Sequence, residues 1–229
     1  MNILIINQPP FNRGDESAHK GLIRTLLKRF PDAKIKVMHE AWLSESYRQY
    51  AVKDKRVEYF SEQQGCIKFP RFRNHDVFTN HTWLWKWHPT YRWTERIYKW
   101  ADIVVCAPGG ICMGGFQDWN HLYHLRLAQL FKRPLAYYGR SFGPFPTETE
   151  RNRQFKKISL DMLHYFGYLS IRDHKTELLA DELNIPYIST IDSAFLDSPK
   201  VEIPYELKSV VGNKPYMVFV PNYLLWHYA

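Results

Sequence analysis

The sequence predicts an α/β fold of the Rossmann-like type, in which a mostly parallel β-sheet carries helices on both faces. Two observations predict this class. Short apolar runs alternate with helical patterns along most of the 229 residues, and such alternation with short connections is typical of parallel sheets. The runs are also apolar throughout, as in strands that are covered on both sides.

Apolar runs and residue spacing assign the first elements. Residues 3–6 (ILII) predict a strand, and residues 34–38 (KIKVM) predict a second one. Between them, Asp15 is predicted to cap a helix that Pro31 helps to end. The apolar stripe of this helix has a spacing of four residues and consists of Ala18, Leu22, Leu26 and Phe30. Residues 43–90 show no pattern that assigns them.

From residue 91 onward, helices and strands alternate regularly. The predicted helices are 91–100, 117–131, 152–166 and 175–183. The predicted strands are 103–107, 135–139, 168–172 and 187–191. Asp173 immediately precedes the last of these helices and is predicted to be its N-cap.

The pattern changes beyond Asp197. Residues 198–214 predict a linker, and residues 216–220 (YMVFV) predict the first strand of something new. We therefore expect a Rossmann-like N-terminal domain at 1–197, followed at 198–229 by a linker and the first strand of a truncated second domain.

Composition bounds the class of protein and its compartment. Apolar residues make up 45% of the chain and charged residues 24%, which excludes a disordered chain, a collagen-like chain and a disulfide miniprotein. The three cysteines, Cys66, Cys106 and Cys112, follow no zinc or CxxC pattern, and the N-terminus has no charged signal-peptide region. We therefore expect a cytoplasmic protein, and no run approaches the ~20 apolar residues of a membrane span.

Glycine, arginine and aspartate follow most of the predicted strands. In chain order these residues are Asn12, Gly14, Asp15, Gly109, Gly110, Arg140, Ser141, Arg172, Asp173 and Asp192. Because ligands of open parallel sheets bind beyond the carboxyl ends of the strands, the sequence predicts a binding site at this edge.

The aspartates and glycines also have structural interpretations. Asp15 and Asp173 can be helix N-caps without any further role. Gly109 and Gly110 can serve a tight turn, or they can expose backbone N–H groups to an anion or a sugar. These alternatives stay open at the level of sequence.

The arginines are more informative than the histidines. Arg140 and Arg172 end apolar strands, where a guanidinium needs a partner and suits a carboxylate or a phosphate. His121 and His124 lie three residues apart on a predicted helix, but no third ligand is placed beside them. We therefore predict no metal site.

The segment 83–100 holds five of the eight tryptophans, and residues 48–100 contain 11 basic and 5 acidic residues. One interpretation is a helix packed on the sheet with a solvated basic face. Contact with an anionic membrane surface and contact with nucleic acid are the alternatives.

Five motifs, in this order and spacing, resemble the polysaccharide pyruvyl transferase family over about residues 1–197. They are residues 12–16 (NRGDE), 101–105 (ADIVV) running into 108–110 (PGG), 140–144 (RSFGP), 171–173 (IRD) and 192–195 (DSAF). The chain departs from the family pattern at Pro108, where the family often has glycine, and at Phe142, where isoleucine is usual. Neither departure removes a polar group.

The resemblance implies the first half of a two-domain, glycosyltransferase-B-like architecture and a reaction. Family members move a pyruvyl group from phosphoenolpyruvate to two hydroxyls of one sugar as a cyclic ketal. The implied catalytic residues are Asp15, Asp118 and Arg172. The implied substrate-binding residues are Asn12, Gly14, Gly109, Gly110, Arg140, Ser141, Asp173 and Asp192.

The resemblance also implies partners. Phosphoenolpyruvate is the donor substrate, so no cofactor is expected, and the acceptor is a glycan or a lipid-linked sugar. Such acceptors bring the enzyme to the inner face of the membrane, and no nucleic acid is expected. The family's Arg-x-His element has no match after Asp197, so we expect residues 1–229 alone to be inactive and their tail to dock on its own domain or to form homodimers.

Two alternatives remain at this point. One is a glycosyltransferase of the same architecture that uses a nucleotide-sugar. The other is a non-catalytic module that binds an anionic glycan or an anionic surface through the Trp-rich basic segment.

Overall fold

The fold is built on a parallel sheet. The structure is a computed structural model that describes residues 1–8, 13–39, 51–61, 89–110, 112–196, 205–212, 215 and 217. Its seven described strands form one sheet in the order β3-β2-β1-β4-β5-β6-β7, and every adjacent pair is parallel. The strands are β1 Asn2–Gln8, β2 Lys34–His39, β3 Val57–Ser61, β4 Ile103–Cys106, β5 Leu135–Tyr137, β6 Tyr168–Ile171 and β7 Ile188–Ser189.

Helices connect most of these strands. The described helices are α1 Arg13–Arg29, α2 Pro89–Trp100, α3 Trp119–Leu130, α4 Glu150–Tyr165, α5 His174–Glu182 and α6 Tyr205–Val211, and a 3-10 helix spans Ser193–Leu196. The predicted Rossmann-like α/β fold is therefore confirmed, with each strand and helix predicted within residues 1–197 present to within a few residues at its ends.

The chain divides into two compact units, Met1–Asp197 and Ser198–Ala229. The first unit holds the sheet. In the second unit the structure describes helix α6, none of whose residues is buried, and this helix lies within the stretch for which the sequence predicted a linker. The predicted strand at 216–220 lies outside the described residues apart from Met217, and the truncated second domain stays a prediction.

Strand β1 divides the sheet into two halves. It pairs with β2 on one side and with β4 on the other, so the chain moves outward to β3 and then returns to the centre to form β4. Such a reversal opens a crevice beyond the carboxyl ends of the two central strands, where doubly wound sheets bind ligands. The fold therefore places the residues that follow β1 and β4 at the position where a ligand is expected.

Alternate side chains of the central strand enter two separate cores. Leu4 and Ile6 pack in the core that includes helices α2 to α5, whereas Ile3 and Ile5 pack in the core beneath α1. Each of the four is at most 1% exposed. A strand that is buried on both sides requires an uninterrupted apolar run, which explains why residues 3–6 identify it in the sequence.

Helix α1 differs from its prediction in two respects. It begins at Arg13, so Asp15 lies inside the first turn, and the predicted N-cap at Asp15 is wrong. Its buried apolar side chains are Ala18, Leu22, Ile23 and Leu27. A helix with 3.6 residues per turn drifts away from a four-residue spacing, and Phe30 at the end of the predicted stripe is consequently exposed.

Two loops at the carboxyl edge are in direct contact. A Cβ built on Gly114 would lie 2.5 Å from the carbonyl oxygen of Gly143 and 2.7 Å from its backbone nitrogen. The Gly143 N–H also donates to the Met113 carbonyl oxygen at 2.6 Å. The loop after β4 and the loop after β5 thus meet backbone to backbone, which requires glycine at position 114.

We predict that Gly114→Ala destabilises the fold by about 1–3 kcal/mol, because its methyl group would have to displace the backbone of Gly143. Urea unfolding measures this change. Gly115→Ala is the matched control, since a Cβ at Gly115 has no atom within 4 Å. Equal unfolding midpoints for the two variants would contradict the contact between the loops.

Candidate functional site

The buried guanidinium of Arg140 lies at the centre of the candidate site. Its side chain is 1% exposed. Nη1 donates to the carbonyl oxygen of Ala107 at 2.6 Å, and Nη2 donates to that of Gly110 at 3.1 Å. The sulfur atoms of Cys106 and Cys112 lie 3.7 and 3.1 Å from Nη1 and Nη2. Arg140 thus fixes the glycine-containing loop after β4 from a position in the loop after β5.

The acceptors of this buried cation are carbonyl oxygens and thiols. In the described part of the chain, no acceptor lies within hydrogen-bond distance of its Nε. A guanidinium is always charged in proteins, and a buried charge is costly without compensation. A positive charge in this position therefore favours an anion close to it. Gly109 lies between the guanidinium and one acidic side chain.

That acidic side chain is Asp15. A Cβ built on Gly109 would lie 3.1 Å from Oδ1 of Asp15 and 3.3 Å from Nη2 of Arg140. Partial burial raises the pKa of Asp15, and Asp192 adds to this effect, whereas Arg140 and Arg172 oppose it. Asp15 is thus a half-buried acid that retains a proton to a higher pH than an ordinary aspartate.

Arg172 lies near Asp15 and Arg140 and is paired with Asp192. The two residues form an ion pair between Nη1 and Oδ2, and each side chain is about a quarter exposed, at 24% and 26%. The following residue, Ser193, donates its hydroxyl to the carbonyl oxygen of Ala18 in α1 at 2.7 Å. The 3-10 helix therefore packs on α1 and brings the chain after β7 back to the centre of the edge.

We call Asp15, Arg140, Arg172 and Asp192 the arginine cluster. Its members come from α1 and from the segments that follow β5, β6 and β7. The structure thus brings together four of the residues that the sequence analysis singled out, around the backbone of a fifth, Gly109.

Asp173 is a structural residue as well as a neighbour of the site. It is the N-cap of α5 and accepts the Thr176 N–H at 3.0 Å, as predicted. Its other oxygen accepts the Ser141 hydroxyl at 2.5 Å. Burial alone would raise the pKa of Asp173, but these hydrogen bonds hold it below its usual value. Asp173 therefore ties the loop after β5 to helix α5.

Asp118 is the N-cap of α3. Its Oδ1 accepts the backbone N–H groups of Asn120 at 2.9 Å and His121 at 3.0 Å. Its own N–H donates to the carbonyl oxygen of Cys112 at 3.2 Å. The residue thereby anchors the end of the loop that Arg140 fixes at the other end.

The structure shows fewer contacts for the remaining residues of the predicted site. Gly14 lies in the first turn of α1 and is exposed, and Gly110 is also exposed. The Cβ position of Gly110 has no atom within 4 Å, so its surface is open. Asn12 lies outside the described residues.

Sequence reasoning missed a second group of polar residues at the same edge. Gln8, His39 and Ser61 end three adjacent strands and lie side by side in register. Above them, the His19 ring of α1 lies 6.5 Å from the His39 ring and 6.4 Å from the Tyr59 ring, measured between centroids. We call these five residues the histidine cluster. Their signal in the sequence is a polar residue at the end of each apolar strand.

Burial keeps the rings of the histidine cluster uncharged. It lowers the pKa of His19 far below its usual value, with smaller effects of His39 and Lys20. It also lowers the pKa of His39 to about 4, which a hydrogen bond with the Gln8 backbone partly offsets. Burial raises the pKa of Tyr59 to about 12, and Glu16 and Arg24 act on it in opposite directions.

The described residues were also searched for a metal site and for a helix that could span a membrane. No group of three His, Cys, Asp or Glu side chains that could hold a metal ion occurs within them. His121 and His124 have different partners. Nε2 of His121 lies 3.8 Å from the sulfur of Cys106, and Nδ1 of His124 lies 3.4 Å from the hydroxyl oxygen of Tyr98. None of the helices that the structure describes is long and apolar enough to span a membrane.

We predict that stability falls as the pH drops below about 6.5. The unfolded chain binds protons at His19 and His39 near that pH, whereas in the folded chain His39 takes up its proton only near pH 4. Each such histidine costs about 1.4 kcal/mol per pH unit in this window. Urea unfolding at pH 7, 6 and 5 measures the slope.

The matched variants for this prediction are His39→Gln and His164→Gln. His39→Gln removes one buried titrating group and should flatten the pH dependence. His164 is exposed, so its replacement should leave the slope unchanged. A slope in His39→Gln as steep as in the unmodified chain would show that His39 is not held neutral.

The sequence was compared with families of known proteins. A family model described as polysaccharide pyruvyl transferase matches residues 12–223. Comparison with curated proteins gave no match. The matched range includes the loops after β4, β5 and β6, which carry Gly109, Arg140 and Arg172. Because the match covers most of the chain, the chain belongs to the polysaccharide pyruvyl transferase family.

Proposed function

We propose that this protein transfers a pyruvyl group from phosphoenolpyruvate to a sugar of a cell-surface glycan, forming a cyclic ketal. The observation that carries this proposal is the buried Arg140 guanidinium with its uncharged acceptors, beside a half-buried Asp15. Family membership makes the chain a transferase. The two guanidinium groups of the arginine cluster would supply the positive charges that this donor requires.

The donor has a carboxylate and a phosphate, and arginine suits both. Arg140 is rigid, because two carbonyl oxygens hold it. Arg172 is a quarter exposed and can reach a ligand by exchanging Asp192 for the ligand's anion. We propose that the donor lies over Gly109, Gly110 and Gly14, where small residues let it approach the backbone, with Ser141, Asp173 and Asp192 at its border. A role for Asn12 stays a prediction from the sequence.

Transfer moves two protons. The methylene carbon of the donor must gain one proton from an acid to become a methyl group, while the first sugar hydroxyl attacks the adjacent carbon and its proton restores that acid. The second hydroxyl then displaces phosphate, which takes up the second proton. We propose that Asp15 supplies the first proton, since its raised pKa is the property that a general acid needs.

Asp118 has a different place in the proposal. In the described part of the chain its two hydrogen bonds both use Oδ1, which leaves Oδ2 for a sugar hydroxyl. We therefore assign it the orientation of the acceptor, in addition to its role as helix cap. No cofactor is needed in this scheme, since the donor brings its own leaving group.

A second proposal concerns the place of the reaction. Trp93 of α2 packs on Phe60 with ring centroids 5.8 Å apart, whereas Arg92, Arg96 and Lys99 of the same helix are exposed. We propose that this basic face attracts an anionic membrane surface on the cytoplasmic side, where a lipid-linked acceptor is presented. Residues 83–88 of the Trp-rich segment lie outside the described residues.

The vesicle experiment is direct. We expect Arg92→Glu with Arg96→Glu to reduce binding to anionic vesicles several-fold, and more strongly at low salt, because the attraction is screened by ions. Arg153→Glu on α4, also exposed, is the control. The proposal fails if the unmodified chain does not pellet with anionic vesicles at low salt.

We predict that Arg172→Ala weakens phosphoenolpyruvate binding by at least 30-fold, since losing a charged hydrogen bond to a bound anion costs about 2 kcal/mol or more. Isothermal titration calorimetry measures the affinity. Arg153→Ala is the matched control, because Arg153 is an exposed arginine that pairs with Glu150. An affinity in Arg172→Ala equal to that of the control would remove Arg172 from the donor site.

The same titration tests the alternatives. Binding of a nucleotide-sugar in place of phosphoenolpyruvate would favour a glycosyltransferase, and binding of neither would favour the non-catalytic module. We also propose that two chains pair as a homodimer. Sedimentation of residues 1–229 over a range of concentrations, compared with a chain ending near Pro199, measures this.

A further inference from the structure

The loop after β4 contains a tight turn that presents an aromatic side chain to solvent. Met113 and Gln117 form an isolated antiparallel bridge, so the chain reverses between them. We call residues 113–117 the Phe116 turn. At its base Met113 is 0% exposed, whereas the side chain of Phe116 is 68% exposed. A large apolar ring therefore lies in solvent at the carboxyl edge of the sheet.

The Phe116 turn is held in place by contacts with two other segments. Its Met113 carbonyl oxygen accepts the Gly143 N–H at 2.6 Å, and Gly114 packs against the backbone of Gly143. On the other side of the turn, Nε2 of Gln117 donates to Oδ1 of Asn152 in α4 at 3.0 Å. Because the backbone is fixed in this way, the ring stays in water, where covering it with a ligand would be favourable.

There is open space beside the ring and an available acceptor close to it in sequence. Gly115 is exposed, and a Cβ built on it has no atom within 4 Å. Asp118, two residues after Phe116, is only half-buried. In the described part of the chain its side chain accepts two hydrogen bonds, both through Oδ1. Oδ2 of Asp118 is therefore available to a ligand.

The Phe116 turn also lies next to the arginine cluster. The Asp118 N–H donates to the carbonyl oxygen of Cys112 at 3.2 Å. The sulfur of the same Cys112 lies 3.1 Å from Nη2 of Arg140. The residues that flank the turn are thus in contact with the guanidinium at which we place the donor.

We propose that Phe116 is the surface on which the acceptor sugar stacks, with Oδ2 of Asp118 accepting a hydrogen bond from one of its hydroxyl groups. This inference rests on the proposed transfer function and names a residue that selects the second substrate.

The chemistry of the two side chains fits a neutral sugar. A pyranose ring has a face of C–H groups, and the face of an aromatic ring carries the partial negative charge that attracts them. Hydroxyl groups at the rim of the sugar donate to a carboxylate oxygen. The carboxylate of Asp118 would repel an anion, so the anionic donor and the neutral acceptor would be sorted between Arg140 and Phe116.

The surroundings of Phe116 favour a small ligand over a protein partner. Within the turn its neighbours are two glycines, the buried Met113 and the polar Gln117. Protein interfaces use contiguous apolar patches of several hundred Å², whereas one ring beside open backbone matches the size of a single sugar.

Saturation-transfer difference NMR on the unmodified chain tests this inference. The probes are methyl β-D-galactopyranoside and methyl β-D-glucopyranoside, which both carry the two hydroxyls at C4 and C6 that a cyclic ketal can bridge. They differ in the orientation of the C4 hydroxyl and so in the C–H face that they offer to a ring. Phosphoenolpyruvate binding is measured separately by calorimetry on the same samples.

The variants are chosen to keep the fold. Phe116→Ala removes the ring and Phe116→Trp enlarges it, and both change an exposed side chain. Asp118→Asn removes the charge but keeps the helix cap, because asparagine caps helices as well as aspartate does. Phe30→Ala is the matched control, since Phe30 is 41% exposed and lies between α1 and β2, at the opposite edge of the sheet.

We expect saturation to reach the C–H protons on one face of at least one of the two sugars. Phe116→Ala should weaken the affinity for that sugar at least tenfold, and Phe116→Trp should retain it. Asp118→Asn should weaken it several-fold at an unchanged urea midpoint. Phe30→Ala should bind like the unmodified chain, and phosphoenolpyruvate should bind equally well to Phe116→Ala and to the control.

The outcomes separate this inference from the function on which it rests. Phosphoenolpyruvate binding without saturation transfer to either sugar, or with transfer that Phe116→Ala leaves unchanged, overturns the stacking surface and leaves the donor site standing. Sugar binding that depends on Phe116 without phosphoenolpyruvate binding supports the stacking surface and overturns pyruvyl transfer. Loss of phosphoenolpyruvate binding in Phe116→Ala would place the ring in the donor site and overturn the inference.

Discussion

The buried guanidinium of Arg140 is the interaction on which the site depends. It joins the loop after β5 to the loop after β4 through the carbonyl oxygens of Ala107 and Gly110. The contact of Gly114 with Gly143 joins the same two loops a few residues further on. A guanidinium that two carbonyl oxygens hold rigidly would need no reordering to receive an anion, because it is already ordered in the folded protein.

The charge of Arg140 also determines how its surroundings behave. Burial raises the pKa of Asp15, and the charge of Arg140 acts in the opposite direction, so that the pKa rises less than burial alone would raise it. In contrast, the histidine cluster, on the other half of the sheet, responds to burial with little compensation, and its rings stay neutral. One sheet edge thus carries a charged and an uncharged cluster, and helix α1 contributes residues to both.

The sequence predicts the fold well because buried strands must be apolar throughout. Residues 3–6 and 103–107 are identified in this way. Strand β3 (VEYFS) escaped prediction because it contains the exposed Glu58 and only its last two residues are buried, so it lacks a continuous apolar run. Arg140, Arg172 and Asp192 could be placed at one edge from their positions after strands, but the pairing of Arg172 with Asp192 could not. Asp192 directly precedes the 3-10 helix, and the hydrogen bond from Ser193 to Ala18 of α1, 175 positions earlier in the chain, is a contact that no local pattern predicts.

The same reasoning explains why the histidine cluster escaped prediction and the arginine cluster did not. A charged arginine directly after an apolar strand stands out in the sequence. A single Gln, His or Ser at the end of a strand does not, because such residues commonly end strands. Only the register of β1, β2 and β3 shows that Gln8, His39 and Ser61 form one row. A polar residue that is ordinary in its own strand becomes noticeable when two neighbouring strands end in the same way, because a buried polar side chain needs hydrogen bonds and this need is then repeated across the sheet.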